Sequence, residues 1–300
     1  MKKSHYFNDT IIREYDIRGV FNKTLFEKDA KVLGNLFGMI IGQNNSVNIA
    51  YDGRMSSPIL KENLIEGFLE VGVNVNEIGL GPTPLLYFSC FELNSNSGII
   101  VTGSHNPKSH NGFKIVYKNS PFFGEDLIML KNKAKNYSMH NGRGLKTKVD
   151  LENKYLKRLL KDFNQKKDIK VVWDAGNGSA GKIMKKLANK IKGEKIILYD
   201  EINGNFPNHH PDPSDSDNLI DCQKNIIKNN LDIGLAFDGD GDRLGVIDDL
   251  GRVIAGDKIL LLLAKELLKK KKIKVIADVK CSQVLFDEIK RLGGEIIMSQ

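Results

Sequence analysis

No apolar run in this sequence approaches the ~20 residues that cross a bilayer. The most apolar stretch, Ile259 to Leu268, is interrupted by Lys265 and Glu266 and reads as a core-facing helix. The N-terminus lacks the apolar segment of a signal peptide, since Met1-Lys2-Lys3 continues through polar and acidic residues to Asp16, and no export is expected. Cysteine is scarce. Cys90, Cys222 and Cys281 are odd in number, far apart and without a Cys-x-x-Cys pair, which argues against a disulfide framework or thiolate zinc site and fits a reducing cytoplasm. Excess charge is modest, with 45 Lys+Arg against 37 Asp+Glu. The basic runs, such as Lys269 to Lys272, lack interleaved aromatics and match no nucleic-acid motif. Neither nucleic acid nor membrane is an expected partner; the positive field suits phosphorylated small molecules.

With 300 residues, 41% of them hydrophobic, the chain can bury a substantial core but exceeds the usual size of one domain. One phrase occurs three times: an apolar-periodic helix, a short β-branched strand, then an aspartate opening a polar loop. The strands are Val47-Asn-Ile-Ala-Tyr-Asp52, Ile169-Lys-Val-Val-Trp-Asp174 and Ile273-Lys-Val-Ile-Ala-Asp278, with helices expected over 58–71, 180–191 and 283–292. Such alternation predicts tandem open α/β sheets, divided as 1–149, 150–252 and 253–300. In the first unit a later strand, Gly98 to Val101, runs into Thr102-Gly-Ser-His-Asn-Pro107. Its counterpart in the second, Ile233 to Phe237, runs into Asp238-Gly-Asp-Gly-Asp-Arg243. Ligands of open α/β sheets gather beyond the carboxyl ends of strands, so both loops are expected to face one cleft. The same spacing carried forward from Asp278 points beyond Gln300, and the third unit reads as incomplete.

Asp238, Asp240 and Asp242 alternate with Gly239 and Gly241, which can take positive φ and let three carboxylates converge. Carboxylates that close repel unless a cation neutralises them, and hard oxygen ligands suit Mg²⁺. A calcium EF-hand loop begins the same way but fails here. Its sixth position would be Arg243 instead of Gly, its twelfth Asp249 instead of Glu, and Leu244 to Ile247 reads as a strand. Arg243 beside the acids can bind phosphoryl oxygens.

Turn formers flank Ser104, so its hydroxyl can stand at a strand end. A hydrolase reading is disfavoured: the Gly-x-Ser-x-Gly elbow is absent, and adjacent residues such as Ser104 and His105 seldom face each other. A phosphate on Ser104 could instead join the aspartates around Mg²⁺. Lys114, in Asn111-Gly-Phe-Lys114, could neutralise that phosphate or shuttle a proton. Gly176-Asn-Gly-Ser-Ala-Gly-Lys182 nearly matches a P-loop, but Ile183 stands where a Mg²⁺-binding hydroxyl is required, so a strand-to-helix turn is expected. Asn205-Phe-Pro-Asn-His-His-Pro-Asp-Pro213 reads as a rigid connecting loop, and His209 and His210 are left outside the site.

Taken together, Glu14-Tyr-Asp-Ile-Arg-Gly19, Thr102 to Pro107, Asn111 to Lys114, Asp174-Ala-Gly-Asn-Gly178 and Asp238 to Arg243 resemble the α-D-phosphohexomutase family along the whole chain. Segment 204–213 and Asp278-Val-Lys-Cys-Ser282 look most like its bacterial phosphomannomutase/phosphoglucomutase branch. The phosphoglucosamine mutase branch, the alternative, usually has Ala where this chain has Gly103. The resemblance implies tandem open mixed α/β domains of phosphoglucomutase type, two complete and a third incomplete. It implies that Ser104 is a phosphoserine whose oxygen joins Asp238, Asp240 and Asp242 around Mg²⁺, with His105, Arg243, Lys114 and Arg18 in the transfer site. Tyr15, Arg18 and Lys280 would contact a phosphorylated hexose, and glucose 1,6-bisphosphate would be activator and intermediate. The implied activity is interconversion of the 1- and 6-phosphates of mannose and glucose by a cytoplasmic enzyme, a monomer, that feeds nucleotide-sugar synthesis. The family's sugar-selecting loop and phosphate-gripping last domain are not found before Gln300, which leaves open a non-turnover, sugar-phosphate-binding remnant.

Overall fold

The computed structural model describes residues 2–139 and 141–299. At the middle of the first sheet lies strand Ser46–Tyr51, buried on both faces as a helix-covered parallel strand must be. Asn74–Leu80 and Gly98–Val101 flank it in parallel, and Lys146–Lys148 extends one edge. At the other side His110–Tyr117 and then Ile17–Val20 run antiparallel, which makes the sheet mixed.

The period of two along these strands builds both layers. Val47, Ile49, Ile99 and Val101 pack with Leu33, Phe37, Leu64 and Phe68 of helices Glu27–Ile41 and Ser57–Glu70. Ala50 and Ile100 meet Leu86 of helix Thr83–Glu92 on the opposite face. Fully burying each large side chain contributes roughly 1.5–3 kcal/mol. Asn48, polar in this core, is satisfied at 2.9 Å by both Ser89 and Asn76.

The second sheet has the order Lys195–Leu198, Val171–Asp174, Ile233–Phe237, Leu244–Asp248, Val253–Ile254, parallel across the first three and antiparallel after them. Helices Gly181–Ala188 and Ile220–Asn229 cover its two faces through Met184 against Trp173 and Ile226 against Val172. The strand expected from Ile169 begins at Val171, because the Lys170 amide bonds to the Asp232 carboxylate at 2.8 Å instead of to a neighbouring strand. In the third unit, helices Gly256–Leu268 and Gln283–Arg291 pack on two parallel strands, Lys274–Asp278 and Glu295–Ser299.

All three repeat aspartates stand at carboxyl ends of parallel strands, Asp52 one residue past its strand. The serine and aspartate loops occupy the same edge of their sheets. Among the described residues no helix is long and apolar enough to cross a membrane.

Candidate active site

Ser104 stands three residues beyond its strand with φ of +49°, in the left-handed region that L residues rarely adopt. Its amide donates to Thr102 Oγ1 at 2.9 Å, and its Oγ donates to Asp238 Oδ2 at 3.0 Å. That backbone twist also brings His105 Nδ1 to 3.3 Å from Ser104 Oγ, contrary to the expectation that these neighbours would not face each other. Burial, then the nearby Arg243 charge, holds the His105 imidazole below its ordinary pKa.

The aspartate loop meets Ser104 from the second unit. Gly241 takes the expected positive φ of +69°, but Gly239 does not, and its requirement is spatial. A Cβ on Gly239 would stand 2.4 Å from the Ser104 carbonyl oxygen. The two chemical loops therefore touch through backbone. The near-P-loop segment buttresses them: the Ser179 amide bonds to the Gly239 carbonyl at 2.9 Å and its hydroxyl to the same oxygen at 3.2 Å. Those groups face protein, as a structural turn requires.

One ligand atom from each of Asp238, Asp240 and Asp242 lies within 4.8 Å of the others. Asp238 Oδ1 accepts from the Asp242 and Arg243 amides, each at 3.0 Å, which curls the loop. Asp240 Oδ2 accepts from Thr83 Oγ1 at 2.5 Å and from Lys114 Nζ at 2.6 Å, while Asp242 Oδ2 lies 2.5 Å from the same ammonium. Burial, reinforced by the Asp240 and Asp242 charges, pushes Asp238 up to about 7. Burial works to raise Asp240 too, but Lys114 and the Thr83 hydroxyl hold it below the usual carboxylate range. For Lys114, burial works downward and the two carboxylates outweigh it, so it stays protonated. One lysine against three acids leaves the cluster short of positive charge, and Asp240 Oδ1 is buried without a hydrogen-bond partner. Hard oxygen donors in that state fit a divalent cation.

Tyr15, Arg18, Ser104, Lys114, Asp242 and Arg243 line one cavity of about 720 Å³. Arg18 pairs with Asp16, Tyr15 is exposed with its ring 5.9 Å from Phe123, and Arg243 is exposed at the rim. Lys280 is not among the residues lining the cavity; it is exposed on the third unit, its amide bonded to Asp278 at 2.7 Å.

Three contributors escape a reading of sequence. Thr83 holds Asp240 by both hydroxyl and amide, the latter donating to the Asp240 carbonyl at 2.8 Å. His209, left outside the site, places Nε2 3.1 Å from Asp174 Oδ2 beneath the aspartate loop. Arg54 underlies the serine loop and bonds to the Ser104 carbonyl at 2.7 Å. The available cues were weak: a threonine between two prolines, a histidine in a proline-rich loop and an arginine two residues after a repeat aspartate.

Comparison with known proteins agrees with this architecture. Family models described as phosphoglucomutase/phosphomannomutase, alpha/beta/alpha domains I, II and III match residues 9–138, 153–251 and 255–300. A phosphomannomutase/phosphoglucomutase from Pseudomonas putida is 41% identical over 97% of this chain and 63% of its own length. A phosphoglucomutase from Neisseria meningitidis serogroup B is 38% identical over 97% of this chain and 64% of its own. The crystal structure of a phosphoglucomutase/phosphomannomutase family protein from Burkholderia thailandensis superposes with a TM-score of 0.90 at 37% identity, covering 97% of this chain and 66% of that one. The chain thus spans somewhat less than two thirds of the curated relatives it matches, its third domain matched over a short stretch. With three domain models in order, and the open mixed sheets they describe, the chain belongs to the phosphoglucomutase/phosphomannomutase family.

Proposed function

We propose that this chain is the phosphoryl-transfer part of a hexose-phosphate mutase that interconverts the 1- and 6-phosphates of mannose and glucose through a phosphoserine at Ser104 and a 1,6-bisphosphate. The carrying observation is Ser104 Oγ, held on a left-handed backbone 3.0 Å from Asp238 in a three-carboxylate cluster, with Ser104 and Asp242 lining a cavity that also holds Arg18, Lys114 and Arg243. The mannose and glucose specificity rests on the names of the Pseudomonas and Neisseria relatives. We assign the divisions 1–149, 150–252 and 253–300 to the serine loop, the aspartate loop and part of a sugar-recognition domain.

In the charging step, Ser104 Oγ attacks phosphorus of the bisphosphate as the bond from phosphorus to the sugar oxygen breaks. The serine proton ends on that sugar oxygen, giving phosphoserine and a hexose monophosphate. Turnover runs this step in reverse onto a hexose 1- or 6-phosphate, and the bisphosphate must turn around between the two transfers. Asp238, Asp240 and Asp242, with an oxygen on Ser104, would hold Mg²⁺, which when bound supplies positive charge to the transferring phosphoryl group. His105 orients the hydroxyl from 3.3 Å. Lys114, Arg243 and Arg18 neutralise phosphate oxygens, and a guanidinium can do so with two parallel bonds. Tyr15 and Lys280 are assigned to the sugar phosphate, Lys280 through movement of the third unit toward the cavity.

The test is intact-mass analysis and peptide mapping after incubating the chain with glucose 1,6-bisphosphate and Mg²⁺. Phosphate is expected on Ser104, dependent on metal and absent from Ser104→Ala. A folded chain that takes up none would sink the reading. Turnover of glucosamine phosphates in preference to those of mannose and glucose would move the chain to the phosphoglucosamine mutases.

A further inference from the structure

Arg54 is 1% exposed, and every one of its five N–H donors has an acceptor. Nε donates to Asp52 at 3.1 Å. Nη1 serves the carbonyls of Pro107 at 2.6 Å and His110 at 3.0 Å, and Nη2 those of Ser104 at 2.7 Å and Asn106 at 2.6 Å. A single guanidinium thus holds the carbonyl of the nucleophile itself and the main chain that follows it. Asp52 in turn accepts from Thr102 Oγ1 at 2.8 Å and from the Gly103 amide at 3.1 Å.

The second unit reaches this same guanidinium. Segment 202–213 is anchored to its own domain by the Asn203 amide on the Asn177 carbonyl at 3.0 Å, by Asn208 on the Asn177 side chain at 2.7 Å and by His209 on Asp174. From those anchors it crosses to the first unit. A Cβ on Gly204 would stand 2.4 Å from the Gly53 carbonyl oxygen and 2.5 Å from Arg54 Cα, so only glycine permits the approach. Phe206 then sets its ring 5.2 Å from Arg54 Cζ, with its own φ at +50°. A bulky residue in that region is strained, and such strain persists where surrounding structure enforces it.

We propose that Arg54 and Phe206 form a positioning device for phosphoryl transfer: Arg54 fixes the serine loop, and Phe206, stacked on Arg54, ties that loop to the domain carrying the aspartates. The inference rests on the transfer reading above. Its step is the one already written, with Ser104 Oγ displacing the sugar oxygen from phosphorus. What the strap contributes is the location of Oγ relative to the aspartate loop, to which transfer is sensitive at the scale of an ångström. Arg54 touches no reacting atom; it acts through the loop.

The experiment compares the wild-type chain with Phe206→Leu, which keeps bulk and removes the ring, and Phe206→Tyr, which keeps the ring; Arg54 itself is left intact to spare the fold. Hydrogen exchange of residues 102–111 reads loop position without reference to chemistry. Single-turnover phosphorylation of Ser104 by glucose 1,6-bisphosphate and Mg²⁺ reads transfer. Phe206→Leu is expected to raise exchange in 102–111 and slow the maximal rate roughly three- to tenfold, with half-saturation unchanged, and Phe206→Tyr to restore both. Unchanged exchange in Phe206→Leu overturns the proposal whatever the chemistry does. Faster exchange with an unchanged rate overturns the positioning role, and so does a rise in half-saturation alone. If wild-type Ser104 takes no phosphate while exchange responds as expected, it is the transfer reading that fails, and the strap loses its catalytic role with it.

Discussion

Asp52 and Asp174 occupy equivalent strand ends in two copies of one architectural phrase, yet their carboxylates are satisfied by different chemistry. Asp52 faces Arg54, a cation at any physiological pH, together with Ser57, Thr102 and two backbone amides. Asp174 faces His209, a cation only while protonated, and the Gly176 amide at 2.8 Å. The loops above them differ in the same sense. The serine loop rests on a charge that is fully compensated. The aspartate loop above Asp174 carries three acids against Lys114, a deficit that the proposed cation would offset. On the proposed reading this contrast is functional: a group that receives the phosphoryl must stay put, whereas a group that binds a metal can retain a charge deficit until the metal arrives.

The largest expected effect breaks the first half of this contrast. Arg54→Met keeps much of the length but strands a buried carboxylate and four carbonyls, and removal of one partner from a buried ion pair costs about 3–5 kcal/mol. Urea denaturation of the chain should register that loss, while His209→Gln, which can still donate to Asp174, should cost about 1 kcal/mol. Equal losses would abolish the distinction. A smaller effect sharpens the second half. Asp238 is an acid whose folded value is raised, so the metal-free fold loses stability as pH climbs from about 4 to 7. Asp238→Asn removes that repulsion and keeps an oxygen for the Asp242 and Arg243 amides. Calorimetry in EDTA at pH 7.5 should place its melting temperature about 2–4 °C above wild type, and Mg²⁺ should then add nothing. A variant that still gains stability from Mg²⁺ would show that the ion binds elsewhere.

Which parts of this were legible in sequence follows from the range over which each feature is encoded. Alternating strands and periodic helices are local, and the two loops were found because turn residues cluster beside Ser104 and Asp238. The glycines of the aspartate loop were understood only in part: Gly241 answers to a dihedral angle, but Gly239 answers to the Ser104 carbonyl, 135 positions away in the chain. Arg54, Thr83 and Phe206 act on partners that no periodicity connects to them. Ser104 and His105 meet because of a backbone angle that the residue type disfavours. Local rules fail at such a strained place, where tertiary structure imposes the geometry.

The subtlest test concerns pH. His209 Nδ1 lies 2.9 Å from the His210 carbonyl and Nε2 3.1 Å from Asp174, so both ring nitrogens face acceptors, as imidazolium requires. Burial works to lower the His209 pKa, but the Asp174 bond and charge outweigh it, and the folded value is raised above 6.5. The pair's stabilisation is therefore complete below the unfolded value and disappears as pH rises through the folded one. Arg54, the corresponding cation beneath the serine loop, does not change charge in this range. Denaturation midpoints at about pH 6, 7 and 8 should show wild type leading His209→Gln at the acid end, with the gap closing toward the alkaline end. A gap that stays constant would mean His209 holds Asp174 as a neutral donor, and the chemical difference between the two strand-end aspartates would reduce to the number of their partners.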